Sequence, residues 1–195
     1  MNGEPMDVVL IGGASHTGKS MIGRQLADRL GWAHVCTDDM ARHPGRPWGD
    51  APEAVAELYR TVSAATLHWL LRIHHQNILT HIEVKLAEAR LGARPIVLEG
   101  NALRPELLKR HVLPGTEAIC LVGSDALLRD RIWTSSGYPE TTEDHRRQID
   151  AFVGRTLIDN RAMRHAANKN GISALSVDDT DAVGDWVERV IHLAA

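Results

Sequence analysis

Residues 13–20 read Gly-Ala-Ser-His-Thr-Gly-Lys-Ser and fit the pattern G-x-x-x-x-G-K-[ST]. Such spacing suits a polyanion. Glycines let successive backbone N–H groups turn inward around a phosphate, and a following helix adds the positive end of its dipole. Gly13, Ala14, Ser15, His16, Thr17, Gly18, Lys19, Ser20 and Met21 are therefore the candidate residues around a nucleoside triphosphate. Lys19 has the reach for the outer phosphates, and the Ser20 hydroxyl has the chemistry to hold Mg²⁺.

Such a loop needs a strand before it and a helix after it. Val8, Val9, Leu10 and Ile11 form a continuous apolar run, the pattern of a strand buried on both faces. Ile22, Leu26 and Leu30 then recur at helical spacing, and Gly31 stands where the helix should stop. Further strands are expected at 33–37, 95–100, 118–122 and 172–177. Asp50 opens a helical region reaching about Gly92, read as two helices with a break near His74-His75, because helices usually run ~10–14 residues. Shorter helices are expected at 106–111, 124–133 and 182–193, and a longer one at 143–168. Alternating strands and helices imply an α/β fold, a parallel sheet covered on both faces, in a single domain over 1–195.

Ligands of open α/β sheets sit outside the carboxyl ends of the strands. That rule singles out Asp38 and Asp39 after the second strand and Glu99 at the end of the third. Carboxylates beside a triphosphate repel it unless Mg²⁺ or a substrate proton intervenes, so acids there point to function. Phosphoryl transfer needs a clamp on the phosphates, a metal, and a group that orients or deprotonates the acceptor. Asp38 is the candidate base for a hydroxyl acceptor. Asp39 is assigned to Mg²⁺ through water or to the acceptor, and Glu99 to water on Mg²⁺ or to the acceptor's hydroxyls.

Arg42 lies one helical turn past the paired aspartates, and Arg104 follows Glu99 closely. Both are candidates to face an anionic acceptor, because a guanidinium matches carboxylate or phosphate with two donors. Arg129, Arg131, Arg146, Arg147, Arg155, Arg161 and Arg164 flank a Gly-Pro loop. Singly they read as solvated helix charges; together they fit a mobile lid that brings positive charge to the transferring phosphate. His68, His74, His75 and His81 lack the converging partners a zinc site needs and read as helix-surface residues. Trp48, in the loop after the paired acids, is the tryptophan allowed as a substrate-pocket wall.

A formal net charge of −3 makes no electrostatic case for nucleic acid or an anionic membrane surface. No apolar run approaches the ~20 residues of a membrane span, and 1–5 shows neither basic flank nor apolar stretch. Cys36 and Cys120 sit in apolar runs and read as buried, reduced thiols. The expected setting is cytoplasmic, the expected partner a small-molecule phosphoryl acceptor, and the expected state a monomer or homodimer.

The chain resembles the small P-loop kinases of the nucleoside monophosphate kinase-like superfamily over nearly its whole length. That resemblance implies ATP and Mg²⁺, five parallel strands in the order 2-3-1-4-5, a helical acceptor-binding insert at about 40–92 and a lid at about 134–165. Thr37-Asp38-Asp39-Met40-Ala41-Arg42 is similar to the T-G-D-M-L-R segment of adenylate kinases, and Leu128-Arg129-Asp130-Arg131-Ile132 to their D-R-I segment. The latter implies that Arg131 lies along ATP. Thr-Asp-Asp after strand two, with Leu98-Glu99-Gly100, Leu103 and Pro105 after strand three, more closely resembles 2-phosphoglycerate kinase and related small-molecule kinases. That branch implies γ-phosphate transfer to a hydroxyl of a small anionic metabolite, with Asp38 as base or metal partner. The alternatives are a nucleoside monophosphate kinase and a non-catalytic nucleotide-binding regulatory module. Asn168-Lys169-Asn170-Gly171 carries glycine where a guanine-reading motif requires aspartate, which argues against a GTPase switch.

Overall fold

Val8, Val9, Leu10 and Ile11 are completely buried, and they set the middle of the sheet. Alternate side chains of a strand point to opposite faces. Val8 and Leu10 accordingly pack beneath one helical layer, and Val9 and Ile11 beneath the other. A strand covered on both sides gains roughly 1.5–3 kcal/mol for each such side chain, so no polar residue interrupts the run.

The computed structural model describes residues 5–92 and 94–194; residues 1–4, part of the stretch read for a leader, lie outside the described residues. Its strands are β1 (Val8–Gly13), β2 (Ala33–Cys36), β3 (Ile96–Gly100), β4 (Thr116–Val122) and β5 (Ala174–Ser176). All neighbours pair in parallel, in the order β2-β3-β1-β4-β5. This is the expected topology. Leu10 stands level with Leu98 on β3 and with Ala118 on β4. The loop after β1 thus opens at the centre of the carboxyl edge, with the ends of β2 and β3 beside it.

One face of the sheet is covered by α1 (Lys19–Leu30) and α8 (Thr180–Ala194), through Ile22, Leu26, Trp186 and Val190. Helix α1 ends where Gly31 takes the left-handed conformation and the Trp32 N–H donates back to the Ala27 carbonyl. The other face carries α4 (Leu79–Arg90) and α5 (Pro105–His111). A separate apolar cluster lies among α2 (Glu53–Thr61), α3 (Ala64–Asn77), α6 (Asp125–Ser136) and α7 (Glu143–Asn170), centred on Phe152.

The region expected as two helices holds three. The first break falls at Val62-Ser63, where Ser63 is extended and its hydroxyl accepts the Thr66 N–H, capping α3. The second falls at Ile78, whose burial under the sheet fixes the turn into α4. Helix α3 runs unbroken through His74-His75. Asp50 does not open the region; Pro52 is the residue at the helix start. The 134–165 stretch contains the end of α6, a short turn at Tyr138–Glu140 and most of α7. Ile149, Phe152 and Leu157 bury one side of α7, so the irregular part of this stretch is about 137–142. No described helix is long and apolar enough to cross a membrane.

A Cβ at Gly12 would lie 2.1 Å from the backbone oxygen of Leu103. That atom belongs to a buried turn and cannot swing aside. We expect Gly12→Ala to destabilise the fold by at least about 2 kcal/mol, lowering the melting temperature by roughly 4–8 °C in calorimetry.

Candidate active site

The loop between β1 and α1 is folded around its own carbonyls. Thr17 Oγ1 and Lys19 Nζ each donate to the Ala14 carbonyl oxygen, both at 2.9 Å. Gly18 sits at φ 87°, left-handed, directly before α1. His16 takes the same region at φ 64° without being glycine, a conformation uncommon for a side-chain-bearing residue. No side chain caps α1, and its first turn carries no acid. The helix N-terminus therefore keeps its positive end for an external anion.

Helix α6 braces this loop from outside. Arg131 donates to the His16 carbonyl at 3.1 Å. Ser135 gives its hydroxyl proton to the Ile132 carbonyl, so its oxygen is left to accept from His16 Nε2 at 3.0 Å. Burial holds the His16 imidazole down to a pKa of about 4, assisted by the positive charges of Arg46, Lys19, Arg155 and Arg131. Four cations thus lie within electrostatic reach of a neutral histidine at the loop's apex.

A cavity of about 310 Å³ opens from this loop, and Ser15, His16, Gly18, Lys19, Ser20 and Met21 line its floor. Asp38 reaches it from the turn at Thr37–Asp39. The turn is held close to β3 because Thr37 is fully buried against Gly100, where a Cβ would lie 1.8 Å from Thr37 Oγ1. Asp38 and the phosphate-loop residues share one chamber. Hard oxygen donors for Mg²⁺ are present there in the Ser20 hydroxyl and the Asp38 carboxylate.

The other expected acids and arginines go elsewhere. Asp39 lines a second hollow with His34, Cys36, Met40, His81 and Lys85, and does not line the chamber. Glu99 is buried between β2 and α1, with Oε1 3.8 Å from His34 Nε2 and its Cγ close to Gly23. That oxygen has no hydrogen-bond partner among the described residues. The Cys36 thiol beside it is half-buried and pushed up to about 12 by desolvation and by the Glu99 carboxylate, and it stays protonated. Arg42 does not line the chamber. Arg104, expected to face the acceptor, instead gives its charge to Asp159, with Nη1 2.7 Å from Oδ1. Of the expected acceptor-side residues Asp39, Arg42, Glu99 and Arg104, none lines this chamber.

What replaces them comes from α3 and α7. Leu67, Leu70, Leu71, His74 and His75 follow one face of α3 and line the chamber. His75 is buried and His74 partly so, which corrects their reading as surface residues. On α7, Phe152 and Arg155 complete the wall. Arg155 is only 6% exposed, lies over the Phe152 ring at 4.3 Å, and forms no ion pair among the described residues. Its sequence context alone suits either a solvated helix charge or a member of a basic lid cluster. Its helical phase was the available signal, since it stands three residues after Phe152 on the packed side. Asn101 also lines the chamber, buried, with both amide atoms unpartnered among the described residues. Trp48 is stacked edge-on against Phe152 at 4.9 Å and tilted toward His16 at 6.0 Å, behind the lining.

No family model matches this chain, and no curated protein matches it. Solved structures do. A shikimate kinase from Bacteroides thetaiotaomicron is 17% identical, with 95% of this chain and 97% of that one covered at a TM-score of 0.50. A sugar kinase from Janibacter sp. HTCC2649 is also 17% identical, covering 97% and 94% at 0.50. A structure from Chloroflexus aurantiacus j-10-fl is 14% identical, with both chains covered in full at 0.52. The fold is shared. At these identities the likeness is one of architecture: this chain has the fold of small P-loop kinases.

Beneath the chamber, Asp159 is completely buried between Arg104 and the His68 ring at 3.2 Å. Burial alone would raise its pKa; the His68 hydrogen bond and the Arg104 charge outweigh it and hold the carboxyl well below the usual range. Its contribution is therefore full at neutral pH and is lost only as pH falls below about 4. His75 acts in a different window. Burial pushes it down to about 3, against an ordinary value of 6.5. The unfolded chain binds that proton first, so acidification from pH 6.5 destabilises the fold. Between pH 7.5 and 4.5 this one group should remove roughly 2–3 kcal/mol. Urea denaturation of wild type and His75→Gln across that range should show a flatter profile for the variant. Identical slopes would mean that His75 takes up its proton at the same pH in the folded and the unfolded chain.

Proposed function

We propose that the protein is an ATP-dependent small-molecule kinase that transfers the γ-phosphate to a hydroxyl. The observation that carries this reading is the shared chamber: a phosphate loop whose apex lies within electrostatic reach of Lys19, Arg46, Arg131 and Arg155, and an exposed carboxylate, Asp38, lining the same space. The relatedness of fold to solved kinases supports it.

In the proposed reaction the acceptor hydroxyl oxygen forms a bond to the γ-phosphorus. The bond from that phosphorus to the bridging oxygen breaks, and its electron pair leaves with ADP. Asp38 takes the hydroxyl proton. Lys19 and the N–H groups of the loop and of α1 hold the phosphates in line, a positioning role that supplies much of phosphoryl-transfer catalysis. Arg155 lies within electrostatic reach of both His16 at the loop apex and His75 on the acceptor wall. That is the path of the transferring group, whose developing negative charge it is suited to stabilise. Mg²⁺, when bound by Ser20 and the phosphates, would neutralise charge between the β- and γ-phosphates.

The expectation of an anionic, 2-phosphoglycerate-like acceptor rested on Arg42 and Arg104. One does not line the chamber and the other is neutralised by Asp159. The proposed acceptor is accordingly defined by its hydroxyl and not by a second anion.

Lys19→Ala should weaken ATP binding and abolish turnover. Asp38→Asn should retain ATP affinity in calorimetry and lose about 10²–10⁴-fold in kcat, as expected for a lost acid–base group. Arg155→Met should lower kcat by about 10³-fold with a smaller change in the KM for ATP. Nucleotide binding without turnover on any hydroxyl compound would favour a regulatory module, and turnover confined to nucleoside monophosphates would replace the hydroxyl with a phosphate acceptor.

A further inference from the structure

One stretch of the chamber wall away from the phosphate loop is hydrocarbon. Leu58 and Tyr59 enter from α2, Leu67, Leu70 and Leu71 from α3, and Phe152 from α7. Leu67 and Tyr59 are buried, while Leu70 keeps 37% of its surface exposed and Leu71 is half-buried. The apolar surface is held in place. Tyr59 donates its hydroxyl to the Gly45 carbonyl at 3.0 Å, which ties α2 to the loop carrying Arg46. Its phenol is therefore satisfied and offers the chamber its ring.

Beyond the phosphate loop, Asp38, His43, Arg46, His74, His75, Asn101 and Arg155 supply the polar part of the lining. Asn101 has both amide atoms buried and unpartnered among the described residues, and His75 Nδ1 is likewise unpartnered. An unpaired buried amide costs about 1–3 kcal/mol, so a ligand that hydrogen-bonds it recovers that cost. Asp38 lies within electrostatic reach of His74, on the same imidazole-bearing end of α3. The helix thus grades from leucine to imidazole along a single face, with the proposed base at its polar end.

We propose that the acceptor is an amphipathic alcohol, a ring or branched hydrocarbon skeleton whose hydroxyl is presented to Asp38 and whose adjoining polar atom is read by Asn101. This rests on the kinase reading above and adds the substrate class. The cavity of about 310 Å³ takes the phosphate end of the donor as well as the acceptor, so it suits a compact skeleton. Compact polyols and phosphoglycerates leave the leucine wall uncovered and so forgo its apolar contact.

The test uses the full chain with ATP and Mg²⁺ and two panels. One contains small cyclic, aromatic and branched alcohols; the other contains glycerate, phosphoglycerates and sugar acids. ATP consumption gives kcat/KM, and calorimetry gives binding independently of turnover. The amphipathic panel should exceed the compact one by about 10²-fold in kcat/KM. Leu71→Asn should cost about 10-fold through KM, and Leu71→Phe should shift preference to smaller skeletons, with circular dichroism monitoring the fold. Turnover confined to the compact panel would overturn the proposal and leave the kinase reading intact. Binding of amphipathic alcohols without phosphate transfer would overturn the kinase reading while supporting this ligand class. Failure of both panels to bind would overturn the proposal.

Discussion

A completely buried carboxylate, Asp159, fixes the positions of the chamber's walls. It lies on α7, accepts from Arg104 at the start of α5, and meets His68 on α3. Charges removed from water are tolerated only when paired and hydrogen-bonded, so this one position dictates where three helices meet. The consequences run outward along each helix. Arg155 stands one turn before Asp159 on α7 and faces the chamber. His74 and His75 follow His68 by six and seven residues on α3, and His75 is buried beside the same cluster. Asn101 precedes Arg104 on the segment leaving β3. Arg155, His74, His75 and Asn101 are thus each within about a turn or two of a member of this cluster.

The donor side depends on a different constraint, backbone conformation. A loop that turns its N–H groups inward needs left-handed residues, and Gly18 and His16 supply them. His16 is the more informative of the two. A side chain in that conformation carries strain, and here it is held by Ser135 and Arg131 from α6 and by ring contacts to Phe152 and Trp48. Through Phe152 the loop apex touches the helix that carries Asp159. Donor and acceptor sides are therefore mechanically joined across the centre of the chamber.

The legibility of this protein in its sequence follows from the same division. The phosphate loop is contiguous, and its strand and helix have simple apolar periods, so the motif and its two flanking elements are readable from the residues; the sheet order and the placement of Arg131 were implied by the family resemblance. Ser63 and Ile78 were harder, because one break depends on a cap and the other on burial that only tertiary packing reveals. The acceptor wall draws on positions from 58 to 155. No short pattern spans that distance. Arginine and histidine on a helix ordinarily belong to solvent, and the prior holds for Arg147 and Arg161, both exposed. It fails for Arg155 because the face of α7 that buries Phe152 also buries its neighbours at helical spacing. Arg104 failed in the opposite sense: its proximity to Glu99 along the chain suggested a substrate contact, and Asp159, far away in sequence, claimed it.

The contrast between these two arginines carries the electrostatic logic of the site. Both are nearly completely buried, Arg104 at 5% and Arg155 at 6% exposure. Arg104 is balanced within the protein by Asp159 at 2.7 Å and is structural. Arg155 has no such carboxylate among the described residues and is supported only by the face of Phe152. A cation–π contact of this kind is worth at most about 2 kcal/mol, which is small against the cost of burying an unpaired guanidinium. Under the proposed function an anionic ligand supplies the counter-charge, because the apolar wall offers none. The proposed transferring phosphate, held between the phosphate loop and the acceptor, is the anion that would balance it.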